Sequence, residues 1–328
     1  MRIALFGAGR VGALHAATIA AHPEAQLHVV CDVREAAARE IAARHGARAT
    51  SDPEAVFADK EVAGFIVATP TDTHVDMILR AARAGRPVFC EKPVDLDLAR
   101  VDACLAEVRK LGVPLQIGFN RRFDPHFRAL WTRLRAGEIG KVEIVKITSR
   151  DPGPPPLDYV KVSGGLFRDM TIHDFDTARW LLGEEPVSVL ASASNLVDPA
   201  IAAAGDVDTA IVTMRTASGV LCSIENSRRA VYGYDQRIEV LGEHGMLQAG
   251  NPLPTLVEHF GAERTSRDNL TRFFMDRYVA AFRAELDAFL GVLGGAPPSP
   301  SGEDGRAALA LAEAAIESVK TGRAAVVR

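Results

Sequence analysis

Cysteine is scarce in this sequence and badly spaced for chemistry. Its four thiols, Cys31, Cys90, Cys104 and Cys222, never fall into a C-x-x-C pair, which excludes a zinc ribbon and leaves no disulfide framework to read. Positive charge is not in surplus: 38 Lys and Arg stand against 42 Asp and Glu, a formal net charge of −4. A chain without a basic stripe has no electrostatic footprint for nucleic acid or an anionic membrane. Long apolar runs are missing too. Segments such as "GFIVA" (Gly64–Ala68) fall far short of the roughly 20 residues a membrane span needs. No charged, apolar and small-residue leader precedes the opening "MRIALFGAGR". The expectation is a cytoplasmic globular protein with reduced thiols, whose partner is a small molecule.

What is present is ordinary in amount and telling in order. With 48% apolar and 24% charged residues among 328, the chain can bury two separate cores. In the first 119 residues, short runs rich in β-branched residues ("IALFGAG", "LHVVCD", "GFIVAT", "PVFCEKP", "PLQIGF") alternate with helical patterns over 10–21, 36–45, 73–84 and 96–111. Such alternation predicts a parallel sheet covered on both faces. Beyond it the grammar changes. "KVEIVKITS", "VSVLASAS", "DTAIVTMRT", "GVLCSIENS" and "QRIEVLG" follow with few helices between, and "ASG" and "GEHG" read as hairpin turns. A helix over 170–182 comes early, and two helices over 273–293 and 305–321 close the chain. The expected architecture is an α/β domain over 1–119, then an α+β domain over 120–328 with a mostly antiparallel sheet.

The first strand runs straight into "GAGRVG", with Gly7, Gly9 and Gly12 opening a helix, and Asp32 ends the second strand 20 positions after Gly12. In that context Gly7 permits a tight turn, Gly9 lets the backbone approach a pyrophosphate, and Gly12 lets helix and strand pack closely. The N–H groups at the helix start, at Arg10 and Val11, suit a phosphate. A carboxylate at Asp32 accepts ribose hydroxyls and repels a 2′-phosphate, so NAD is favoured over NADP even with Arg34 two positions on.

In a doubly wound sheet, reacting groups gather beyond the carboxyl ends of the strands. "VATPTDTH" places Thr69, Pro70 and His74 there, and "CEKP" places Glu91 and Lys92. Lys92 is either a surface charge paired with Glu91 or a partly desolvated ammonium beside a nicotinamide, suited to proton transfer or to polarising a hydroxyl. A second concentration of polar residues lies in "FRDMTIHDFDTARWLLG" (Phe167–Gly183). On a regular helix Asp169, His173 and Asp176 form one stripe at i, i+4 and i+7, while Asp174 points away as a solvated charge. The stripe alone is compatible with a metal site, an acid–base apparatus or a wet helix face.

"GAGRVG", "ATPTDTH", "CEKP", "GFNRRFDP", "GGLFRDMTIHDFDTARWLLG" and "VLGEHGML" occur in one order along nearly the whole chain. As an ordered set they resemble the glucose–fructose oxidoreductase/inositol dehydrogenase family, and within it the inositol 2-dehydrogenases. The resemblance implies a Rossmann domain, an open-faced sheet domain, NAD as cofactor and a homotetramer built through the sheets. It places catalytic roles on Lys92, Asp169 and His173, with no metal. It places substrate contacts on those three and on Arg121, Asp151 and Tyr234, and it makes Asp176 a supporting carboxylate. The reaction it implies is oxidation of a secondary alcohol of a cyclic polyol, myo-inositol to 2-keto-myo-inositol, as in inositol catabolism. A related sugar or scyllo-inositol dehydrogenase, and a non-catalytic NAD-binding redox sensor, remain the other readings.

Overall fold

The computed structural model describes residues 1–328. Two compact units emerge, Met1–Phe123 with Ala280–Leu309, and Asp124–Val279 with Ala310–Arg328.

The first unit opens with β1 (Arg2–Phe6), α1 (Arg10–Ala21), β2 (Gln26–Cys31), α2 (Glu35–His45), β3 (Arg48–Thr50) and α3 (Pro53–Ala58). It continues with β4 (Gly64–Val67), α4 (His74–Arg83), β5 (Val88–Glu91), α5 (Leu98–Leu111) and β6 (Leu115–Gly118). The six strands are parallel, in the order β3-β2-β1-β4-β5-β6. That is the doubly wound Rossmann order, whose direction reverses between β1 and β4 and opens a ligand crevice beyond their carboxyl ends. Two elements go beyond the sequence reading. β3 has only three residues, too few to show a period. α3 carries its own start signal, because Asp52 accepts from the N–H groups of Glu54 and Ala55 and Pro53 follows it.

The second unit opens with α6 (Pro125–Arg135), β7 (Val142–Arg150), α7 (Leu157–Val160), α8 (Ile172–Leu182), β8 (Pro186–Ser194) and α9 (Pro199–Ala203). It proceeds through β9 (Thr209–Thr216), β10 (Leu221–Ser227), β11 (Asp235–Gly242), β12 (Gly245–Ala249), β13 (Glu258–Phe260), β14 (Thr265–Arg267) and α10 (Phe274–Arg277). The chain ends with α11 (Val279–Leu293), α12 (Gly302–Thr321) and β15 (Ala325–Val326). Seven strands form an open sheet in the order β12-β11-β7-β10-β9-β8-β15. Only β7 and β10 pair in parallel; every other neighbour is antiparallel. In β10 the alternation holds, with Cys222 and Ile224 buried and Leu221 exposed.

The contiguous boundary expected between residues 119 and 120 is not how the chain divides, since Ala280–Leu309 joins the first unit. The reason is apolar burial: α11 sends Leu286, Phe289 and Leu290 into one cluster with Ile3, Leu5, Ile66 and Phe89. The helix expected over 273–293 is also two helices, α10 and α11, interrupted at Tyr278.

α11 carries Glu285 into the same core, 1% exposed, and neither of its carboxyl oxygens meets a hydrogen-bond donor. Burial, reinforced by the charge of Glu91, pushes this carboxyl well above its ordinary value of 4.5, so the folded chain keeps the proton. The unfolded chain releases it above that ordinary value. Protons bound only in the folded state make stability fall as pH rises. Glu285→Gln should therefore raise the urea midpoint at pH 8, with the gain shrinking to nothing as the pH is lowered through 4.5. A change that is the same at both ends of that range would contradict a protonated Glu285.

Candidate active site

In the first unit the cofactor end is shaped by missing side chains. Gly7 has φ +98°, and a Cβ there would lie 2.3 Å from the carbonyl oxygen of Ala68. A Cβ on Gly12 would lie 2.0 Å from the oxygen of Gly7. These two contacts draw the loops after β1 and β4 together and seat α1 against β1. At Gly9 nothing approaches within 4 Å, and no side chain caps α1 there. The outcome is a recess at a helix N-terminus, the arrangement that holds a pyrophosphate by backbone N–H groups from Arg10, Val11 and Gly12.

Asp32, just past β2, is fixed at both oxygens. Oδ2 accepts from the N–H of Ala8 at 2.7 Å and Oδ1 from that of Arg34 at 2.8 Å. A carboxylate so held retains lone pairs for ribose hydroxyls, so the residues present suit NAD. The Arg34 side chain is 71% exposed and its Nε lies 3.7 Å from Asp32 Oδ1, turned to the carboxylate.

His74, expected among the cofactor contacts, stands between the two strand-end loops. It is 1% exposed, with Nδ1 2.7 Å from the carbonyl of Pro93 and Nε2 2.8 Å from that of Thr69. It thus staples the loop after β4, with Thr69 and Pro70, to the loop after β5. Burial lowers its affinity for a proton. Thr69 is further held by the hydroxyl of Thr73, which donates to its Oγ1 at 2.7 Å. Glu91, at the end of β5, accepts from Nε2 of His15 at 2.6 Å, a partner the sequence reading did not name. Lys92 follows it, half-buried. Arg121 is buried, on the short turn Asn120–Phe123 after β6.

In the second unit the acid-rich stretch folds differently from a uniform helix. Phe167–Thr171 forms a π-helical turn, and α8 begins at Ile172. The wider turn breaks the regular i, i+4, i+7 stripe: Asp169 and His173 keep partial exposure, whereas Asp176 is fully buried with Arg179 Nη1 3.8 Å away. The expectation that Asp174 is a solvated charge is corrected. It is 0% exposed, and its Oδ2 accepts from Asn226 Nδ2 at 2.8 Å. The Asn226 oxygen accepts from Thr171 Oγ1 at 2.7 Å, and its amide also donates to the carbonyl of Ser149 at 3.3 Å. A polar knot therefore fastens the start of α8 to β10 and β7. The far end is fastened too: Arg135 donates to the carbonyls of Trp180 and Leu181 at 2.6 and 2.9 Å, a cation placed against the negative end of α8. Trp131 of α6 stacks on Trp180 with centroids 5.2 Å apart.

Around Asp169 two further residues appear that sequence reasoning missed. Tyr159 donates its hydroxyl to Oδ1 at 2.8 Å, and the buried guanidinium of Arg228 lies 3.4 Å from Oδ2. Asp151 adds its charge beside Tyr159, and its backbone is bonded to Ser227 and Ala230. Tyr234, on the other hand, is buried edge-on against Tyr278 with centroids 5.9 Å apart. Arg228 follows a strand and Tyr159 sits in the single-turn α7 that follows a proline-rich segment; neither position carries a spacing signal. Asp169 is thus met by Tyr159 and Arg228, Asp174 by Asn226 and Asp176 by Arg179. The grouping with convergent ligand atoms is His28, Asp59 and Glu61 in the first unit, where Arg48 already donates to His28 and Asp59.

Residues 1–119 match the family described as "Oxidoreductase family, NAD-binding Rossmann fold", and residues 127–248 match the GFO/IDH/MocA C-terminal domain. The chain is 51% identical over 320 residues to the inositol 2-dehydrogenase of Rhizobium meliloti (strain 1021), covering 97% of each. Its fold superposes with a TM-score of 0.97 on a myo-inositol dehydrogenase from Corynebacterium glutamicum ATCC 13032, at 46% identity over 100% of this chain and 99% of that one. It superposes with a TM-score of 0.92 on scyllo-inositol dehydrogenase from Lactobacillus casei with bound NAD(H) and scyllo-inositol, at 28% identity over 100% and 98% of the two chains.

Removing Asp174 leaves the Asn226 amide short of an acceptor inside the protein. A buried polar group left unsatisfied costs about 1–3 kcal/mol, so Asp174→Ala should lower unfolding free energy in urea by that amount at pH 7. A change below about 0.5 kcal/mol, the usual effect at a surface position, would return Asp174 to the solvent face.

Proposed function

The chain belongs to the GFO/IDH/MocA oxidoreductase family and is an NAD-dependent oxidoreductase, and from that premise we propose that it oxidises one secondary alcohol of a cyclic polyol, myo-inositol to 2-keto-myo-inositol. The observation that supports this most is the 51% identity over 97% of the chain to an inositol 2-dehydrogenase. The Lactobacillus casei relative holding NAD(H) and scyllo-inositol supports the same class of substrate.

In this reading NAD is held by the recess at Gly7, Gly9 and Gly12 and by the Asp32 carboxylate, with Thr69, Pro70, Glu91 and Lys92 lining the strand ends. The chemistry that bound NAD supplies is uptake of the carbinol hydride. His173 takes the hydroxyl proton as general base. Lys92 donates to the reacting oxygen and stabilises the negative charge that develops there. Asp169 accepts from a neighbouring hydroxyl. Arg121, Asp151 and Tyr234 are assigned to the remaining ring hydroxyls.

No helix is long and apolar enough to cross a membrane, and a cytoplasmic setting suits an enzyme that draws on the NAD pool. A homo-oligomer, a tetramer, is proposed from the outward face of the second unit's sheet. Leu221, Ile144, Leu241 and Met246 lie side by side there on β10, β7, β11 and β12. With Leu190 and Ile211 they are all at least 38% exposed, an apolar concentration that a second copy of the sheet would cover.

Two measurements test these assignments. With a panel of inositols and aldoses, NAD reduction should be fastest with myo-inositol. His173→Ala and Lys92→Ala should each lower kcat by about 10²–10⁴-fold while NAD still binds, and the double variant should be little worse than the worse single. NAD binding without turnover on any polyol would favour a redox sensor. For the assembly, light scattering at micromolar concentration should give about four times the 35.1 kDa chain mass; a monomer alone would refute it.

A further inference from the structure

We infer that Arg228 is a positioning residue for the reaction: together with the Tyr159 hydroxyl it fixes the Asp169 carboxylate in place and in charge, so that Asp169 acts as a standing acceptor and the substrate proton goes to His173. This rests on the role proposed above for Asp169.

Arg228 immediately follows β10, and at 1% exposure it is the bulkiest of the fully buried side chains. A guanidinium withdrawn from water must be matched by charge and hydrogen bonds. Nη1 and Nη2 both lie 3.4 Å from Asp169 Oδ2, and Nη2 also lies 3.8 Å from Asp206 Oδ2. One buried cation therefore stands between two carboxylates. Both sides of this clamp are tied to backbone. Asp206 Oδ1 accepts from the N–H of Leu166 at 2.9 Å, one residue before the π-helical turn that carries Asp169. The N–H of Arg228 donates to the carbonyl of Asp208, also at 2.9 Å. The guanidinium thus sets how far Asp169 stands from β10.

The other oxygen of Asp169 has its own donor. Tyr159 is 47% exposed, yet its hydroxyl turns to Oδ1 at 2.8 Å. Partial burial, the adjacent Asp169 charge and the hydrogen bond to it push this phenol above its ordinary value, so it stays protonated and donates. Each oxygen of Asp169 consequently faces a group that gives a hydrogen bond and does not take a proton. The remaining lone pairs of Asp169 still accept, and what they accept from must be a donor such as an alcohol. A carboxylate or phosphate presented there meets a fixed like charge. The arrangement selects neutral polyols over their acidic or phosphorylated counterparts.

The test compares Arg228→Met, Arg228→Lys, Tyr159→Phe and Asp169→Asn by pH–rate profile in the intact protein, with NAD binding followed by fluorescence. Arg228→Met should lower kcat about 10²-fold and move the acid limb of kcat/KM upward by about one pH unit or more, leaving the NAD dissociation constant within about twofold. Arg228→Lys, which keeps the charge and covers the case in which Arg228→Met does not fold, should hold the acid limb in place at reduced kcat. Tyr159→Phe should move the limb in the same direction by less. An acid limb that stays put in both Arg228→Met and Tyr159→Phe would overturn the inference. If Asp169→Asn abolishes turnover while Arg228→Met leaves both kcat and the acid limb unchanged, the role of Asp169 survives and only that of Arg228 fails. Near-normal turnover in Asp169→Asn removes both.

Discussion

The amide of Asn226 is the fixed point on which the acid-rich stretch of the second unit depends. It sits on β10, paired on one side with β7 and on the other with β9, so its backbone cannot shift without breaking two ladders. From there it accepts from Thr171 and donates to Asp174, the residues on either side of the point where the π-helical turn becomes α8. A buried amide with both ends engaged is far more restrictive than an apolar contact of the same area, because sliding by one residue leaves donors and acceptors unmatched. His173 lies between the two residues held this way. Its placement is inherited from a knot it does not itself make.

The two units solve the problem of placing chemistry by opposite means. In the first, the determining atoms are absent: Gly7 and Gly12 tolerate backbone contacts that any Cβ would prevent, and Gly9 leaves a recess open. What that end offers a ligand is main-chain N–H groups and one carboxylate, Asp32. In the second, side chains do the placing, through Asn226, Asp174, Arg135 and Arg228. Backbone recognition suits a constant partner such as a dinucleotide. Side-chain recognition can be altered one residue at a time.

The cofactor end was legible because its code is local. "GAGRVG" after a strand and Asp32 twenty positions later are read from neighbouring letters, and both strand alternation and the hairpins at "ASG" and "GEHG" rest on equally short-range signals. The misreadings share a cause. Asp174 looks solvated to any helical projection, since only a residue 52 positions away, Asn226, shows it to be buried. The stripe through Asp169, His173 and Asp176 assumed a uniform helix, and nothing in "FRDMT" announces a π-helical turn. That His74 ties two strand-end loops together is equally hidden, because its two carbonyl partners lie 5 and 19 positions off. Tyr159 and Arg228 were passed over because their importance is set by folding, not by spacing.

The return of α11 to the first unit has a consequence for how the protein is made. On a ribosome the strands β1 to β6 emerge first, but Leu286, Phe289 and Leu290, which complete the cluster around Ile3, Leu5 and Ile66, follow only after six of the seven strands of the second sheet, all but β15, have been synthesised. For most of translation the nascent sheet therefore presents an apolar wall without its covering helix. Such a surface is what chaperones engage and what drives premature association. The two units, although each has its own core, cannot be completed one after the other: the first to begin must wait for nearly the last of the chain.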